Sequence, residues 1–239
     1  MSNILRDQDT LIHFSLLEGQ ARCVLIDSTR LVAEARRIHR LSDTATVALG
    51  RLLTGAAIMG DMLKGEKCSV TLTVKGGGEI GALVAVGMPG GKVKGYVDKP
   101  YAEAATVGEA VGKEGTITVV KDTGMREPYV GQVELVSGEI AEDITNYFVQ
   151  SEQIPTACAL GVLIDVDQSV KVAGGYFIQL LPGAPDSVID RIENGTEGFP
   201  SMADAAKAFE AAAAAEYAVK SGKTISFING IPVLPTLLD

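Results

Sequence analysis

The sequence predicts an α+β fold: a largely antiparallel sheet with segregated helices, plus a helical or extended C-terminal appendage. Three observations lead there. From Cys68 to Val97, apolar residues recur with period two in three runs joined by short glycine-rich turns, which is the pattern of an antiparallel meander. Two more apolar runs, at 159–164 and 170–180, meet at a polar turn. The helical patterns come in blocks rather than alternating with each strand, so the sheet is not expected to be parallel.

Taken in order, Thr10–Leu17 and Ala21–Ile26 are apolar, partly β-branched runs on either side of Glu18-Gly19-Gln20, which reads as a hairpin. Ser28 or Thr29 then precedes a short helix, 31–39, in which Leu31, Ala35 and Ile38 share a face. Ser42 or Asp43 can cap a longer helix, 44–63, with Val47, Leu52, Ile58 and Met59 buried and Lys64-Gly65 as its stop. In the next run Val70, Leu72 and Val74 alternate with polar neighbours. Gly76-Gly77-Gly78 makes a turn, and strands follow at 80–86 and 92–97. Further strands are expected at 116–121 and 132–136. Ser137 and Glu139 introduce a helix through Ile144, Tyr147 and Phe148, which Pro155 ends. Strands at 159–164 and 170–180 complete the body. Beyond Pro182 the composition shifts: a short helix at 187–192, a loop at 194–200, an alanine-rich helix at 202–220, and an apolar tail at 231–238. The expected division is 1–193 as a core domain and 194–239 as an altered linker-like helix and tail.

Composition narrows the function. The 239 residues include three scattered cysteines, Cys23, Cys68 and Cys158, and two histidines, too few and too dispersed for a structural zinc site. The odd cysteine count and the polar first residues, without the apolar core of an export signal, point to a cytoplasmic protein with reduced thiols. A net charge of −9 without a basic run makes nucleic acid an unfavourable partner, and no segment is long and apolar enough for a membrane.

No motif carries a reaction. Gly76-Gly-Gly-Glu-Ile-Gly81 matches G-x-G-x-x-G, but the dinucleotide mechanism needs a helix N-terminus after the glycines, and here Ala82-Leu-Val-Ala-Val follows as strand. Ser221-Gly-Lys-Thr224 resembles the end of a P-loop but lacks its first glycine. His13 reads as an ordinary strand histidine. His39 lies in a basic helix end that complements the helix dipole. Glu134, Glu139, Glu142 and Asp143 are explained by helix-start electrostatics in preference to acid–base work. Asn194-Gly-Thr196 is a sequon without the required compartment. The catalytic, metal-ligating and cofactor-binding sets are therefore empty.

Four stretches together carry a resemblance. They are Glu34–Thr54 (EARRIHRLSDTATVALGRLLT) continuing to Met62–Gly65; Thr73–Gly81 (TVKGGGEIG); Gly131–Glu139 (GQVELVSGE) with Tyr147–Pro155 (YFVQSEQIP); and Ala173–Pro182 (AGGYFIQLLP). In order and in register from about residue 10 to 193, they resemble the N-terminal domain of the redox-regulated heat-shock chaperones of thirty-three kilodaltons, the HslO-type chaperonins. The resemblance implies a non-enzymatic, ATP-independent holdase that binds unfolding client proteins under oxidative or heat stress. It also implies a homodimer as a possible assembly. The family's zinc domain, with its C-x-C and C-x-x-C ligands, has no counterpart among Cys23, Cys68 and Cys158. No zinc cofactor and no disulfide switch are therefore expected here. The tail at 231–238 is a candidate cover for the client surface, whose residues the sequence does not identify. The alternative is a small-molecule or nucleotide-binding protein using the glycine-rich turns, and a third reading is a structural dimer with the tail as an arm.

Overall fold

A computed structural model describes residues 9–16, 19–184, 226–228 and 231–233. The chain divides into two units, Asp9–Thr196 and a second made of Met1–Gln8 with Glu197–Asp239. Within the second, the described residues are a short antiparallel hairpin, Ser226–Ile228 with Ile231–Val233. The start of the expected apolar tail is therefore strand. The expected helices at 187–192 and 202–220 lie outside the described residues.

In the first unit, β1 (Thr10–Leu16), β2 (Ala21–Asp27), β8 (Thr156–Ile164) and β9 (Val170–Leu180) form an antiparallel sheet in the order β1-β2-β9-β8. A second antiparallel sheet has the order β5-β4-β3-β6-β7, from β3 (Ser69–Lys75), β4 (Leu83–Met88), β5 (Lys92–Val97), β6 (Thr116–Asp122) and β7 (Tyr129–Glu134). The helices are α1 (Thr29–His39), α2 (Asp43–Asp61), α3 (Val107–Val111) and α4 (Ala141–Tyr147), the last running into a π turn at Phe148–Glu152. This is the expected α+β class.

Helix α2 is the axis of the unit. Ser42 caps it by accepting from Ala45 N at 3.1 Å, and 14 of its 19 residues are buried. It is apolar on nearly every side, as a helix packed all round must be. One side meets β3, β4 and β5, and another meets β2, β8 and β9. Leu49, Leu52, Leu53, Ile58 and Met59 are at most 3% exposed, each contributing roughly 1.5–3 kcal/mol of burial. At Gly60 and Gly87 helix and strand touch backbone to backbone: a Cβ on Gly87 would sit 1.8 Å from the Ala56 carbonyl oxygen.

Five departures from expectation have physical causes. In α1 the buried face is Val32 and Ala35, while Ile38 is 58% exposed. Helix α2 ends at Asp61 because Leu63 N turns back to Gly60 O at 3.2 Å, and Gly65 enters the turn at φ 117°. Ile80 is fully buried but outside β4, since its N–H donates to Ala110 O of α3, a helix not expected at all. Strand β7 stops at Glu134 and α4 starts only at Ala141, because Asp143 takes the N–H groups of Val136 and Ile140. Helix α4 closes as a π turn with Gln153 left-handed at φ 55°, two residues before Pro155.

Candidate functional site

The residues singled out from sequence take structural roles. The N–H groups of Gly78 and Ile80 donate to Val111 O and Ala110 O at 2.9 and 3.0 Å, and a Cβ at Gly76 would lie 2.1 Å from Gly112 O. These glycines serve close packing of loop against α3, and the N–H groups of Gly78, Ile80 and Gly81 are already used within the fold. Ser221–Thr224 and Asn194–Thr196 lie outside the described residues. His13 Nε2 meets Asp61 Oδ2 at 2.6 Å, and Asp61 Oδ1 accepts from Gly90 N at 3.1 Å, so the pair ties β1 to the end of α2 and the β4–β5 turn. His39 closes a basic last turn of α1 with Arg36 and Arg37.

The acidic cluster separates. Asp143, fully buried, accepts from Val136, Ser137, Gly138 and Ile140 N–H groups, while Glu139 pairs with Arg51 and accepts from Gly108 N at 2.9 Å. Among the described residues no group of three histidine, cysteine or acidic side chains is placed to hold a metal ion. Burial pushes the Cys23 thiol up to about 11 and the Cys158 thiol well above its ordinary value. Cys68 is buried and donates to Lys64 O at 3.1 Å. Among the described residues no helix is long and apolar enough to cross a membrane.

One surface has the chemistry of recognition. The four-stranded sheet turns Val24, Ile26, Leu160 and Phe177 into the core beside α2. Strand period two places their neighbours on the opposite face. Cross-strand register lines them up: Phe14, Cys23, Ile178 and Ala157 form one row, and Ile12, Leu25, Tyr176 and Ala159 the next. A third row holds Asp27, Gly174 and Gly161, and Val172 opposite Leu163 ends the face. Asp27, at the sheet end, is the only ionisable carboxylate in these rows. Cys23, Leu25, Tyr176 and Ile178 are buried although none belongs to the core around α2. Leu163 and Val172 carry the same face out to solvent, 53% and 48% exposed, and Val166 at the adjoining turn is fully exposed. Sequence reading missed this face. Its signal was the unbroken run Cys23-Val-Leu-Ile26 and the apolar residues at both parities of 176–180, which mark strands buried on two faces.

Comparison with known proteins agrees on one family. The model of the Hsp33 protein family matches residues 9–222. The 33 kDa chaperonin of Clostridium tetani is 43% identical over 203 residues, covering 82% of this chain and 69% of that protein. That of Alkaliphilus metalliredigens is 46% identical over 191 residues, covering 77% and 65%. Among solved structures, the 33 kDa chaperonin of Thermotoga maritima superposes with a TM-score of 0.72 at 39% identity, covering 80% of this chain and 68% of that one. The chain thus spans about two thirds of the length of these relatives.

Proposed function

This chain belongs to the Hsp33 protein family, and from that membership we propose that it is a holdase chaperone, binding unfolding proteins without ATP and without catalysing a reaction. The observation that carries the reading is the second face of the four-stranded sheet: rows of aliphatic and aromatic side chains outside the core, continued into solvent by Leu163 and Val172. Apolar attraction is non-directional, so such a face takes many client sequences rather than one. Cys23, Leu25, Tyr176 and Ile178 of these rows are buried, so the part of the face open to a client is its Leu163 and Val172 end with Val166, and exposed apolar surface of this kind marks interaction sites. The net charge of −9 keeps a complex with an aggregation-prone client in solution. The free thiols, Cys23 and Cys68 buried and Cys158 partly so, suit a cytoplasmic setting, and in this reading binding through the body uses neither zinc nor a disulfide.

The test is suppression of light scattering by a heat-unfolded client protein, with the chain present at equimolar and excess ratios. Suppression without nucleotide is expected. Leu163→Lys combined with Val172→Glu, an opposite-charge pair at two cross-strand positions about half exposed, should weaken it by about tenfold at an unchanged melting temperature, the loss of about 1.4 kcal/mol of apolar contact. A chain that fails to hold any unfolded client overturns the reading.

A further inference from the structure

Arg22 on β2, Lys121 on β6 and Glu152 in the π turn meet at a small open groove of about 80 Å³ floored by Met59, Met62, Leu63 and Phe148. Two cations thus face one carboxylate in a chain whose net charge is −9. Their donors are only partly used. Arg22 gives Nε and Nη2 to a single acceptor, Gln179 Oε1, at 3.1 and 2.7 Å. A guanidinium carries about five N–H donors and an ammonium three, so both groups keep protons to give. Lys121 Nζ pairs with Glu152 and lies 5.8 Å from the Phe148 ring centroid, while Glu152 also accepts from Tyr147 Oη at 2.7 Å. Burial lowers the tendency of Arg22 to hold its charge, and Glu152 is the carboxylate that opposes this. The floor is apolar and adaptable: Met59 and Phe148 are 3% and 2% exposed, and methionine reshapes to fit. An apolar floor beneath a few convergent donors is the usual build of a small-ligand site, and π turns recur at such places.

The geometry points to a binding site for a carboxylate bearing a short apolar chain, with its oxygens on Arg22 and Lys121 and its chain on Met59, Met62, Leu63 and Phe148. A charge-assisted pair of this kind is strong and directional. Two sources offer the chemistry: a free branched carboxylic acid, and the C-terminal carboxylate of a polypeptide ending in an aliphatic residue. Arg22 lies on the core side of β2, opposite the face of Cys23 and Leu25, so the site is separate from the proposed client surface.

Titration of the full chain, followed by backbone amide NMR shifts, tests it with 4-methylpentanoate and with a pentapeptide ending Val-Leu-Leu as free acid or as amide. Binding of at least one free acid with a Kd of about 1 mM or tighter is expected. Binding of both acids marks the shared carboxylate, and of the peptide acid alone, a polypeptide end. Lys121→Met should weaken binding about tenfold by removing a charged hydrogen bond, and Glu152→Gln should tighten it about threefold by removing the competing carboxylate. A merely damaged fold would weaken binding in both variants, so the opposite signs identify recognition. Equal binding of peptide acid and amide, or no shift with either acid at about 10 mM, overturns the site. Client holding by both variants is measured alongside, and its loss in the unmodified chain would bear on the chaperone reading alone.

Discussion

The carboxylate of Asp143 gathers four backbone N–H groups within 2.8–3.4 Å, and it does so to hold an awkward turn. Ile140 sits there at φ 70°, a conformation that a β-branched residue adopts at a cost, with its side chain fully buried beside α4. Asp143→Ala leaves these donors without an acceptor and should destabilise the protein by about 3 kcal/mol, seen as a lower urea midpoint at unchanged slope. Cys23 makes a second prediction at this scale. Burial raises its folded-state pKa from 9.0 to about 11, so below pH 9 both states keep the proton and stability is unaffected. Between pH 9 and 11 the unfolded chain releases a proton that the folded chain keeps, so stability falls as pH rises. Tyr147, also raised by burial and by Glu152, acts in the same direction above pH 10. Thermal melts in reductant should show a steeper loss between pH 8.5 and 10.5 for the parent chain than for Cys23→Ala.

At the scale of elements, α2 and β4 define how closely the two layers approach. Gly87→Ala would drive a methyl group into the Ala56 carbonyl, and a Cβ on Gly60 would lie 2.4 Å from the Gly87 carbonyl carbon. The expected outcome for Gly87→Ala is a loss of about 3 kcal/mol or more, since backbone cannot move aside as a side chain can. A melting temperature within a degree or two of the parent would contradict this packing. The strands and the two long helices were legible because their signals are local: alternation in Val70, Leu72 and Val74, and the Ser42 cap before an apolar block. Helix α3 was not, because five residues carry no period and its place is set by the loop it stitches through Gly78 and Ile80. The π turn was equally hidden: Lys121 and Tyr147 on Glu152, and Ser151 beneath Tyr129, hold a geometry that Phe148–Glu152 alone does not specify.

At the scale of the whole molecule, all three thiols are buried or packed against the core, and none is matched with a partner for oxidation. Hydrogen peroxide treatment, or a zinc chelator, is therefore expected to change client holding by this chain by less than about twofold, measured against the untreated reduced protein. A large peroxide-dependent gain would contradict that expectation. The sequence by itself determined the family, through four ordered stretches, and the α+β class, through hydrophobic period. The spacing of its three cysteines and two histidines led to the expectation that no zinc is held, which metal analysis of the purified chain tests. Only the tertiary structure decided which side of the four-stranded sheet joins α2 and which is left as a second apolar face. It alone brought Arg22, Lys121 and Glu152 to one groove from three distant segments. The reason is that period two assigns residues to a face but not the face to a layer. That assignment is made by helix α2, which both sheets must bury at once.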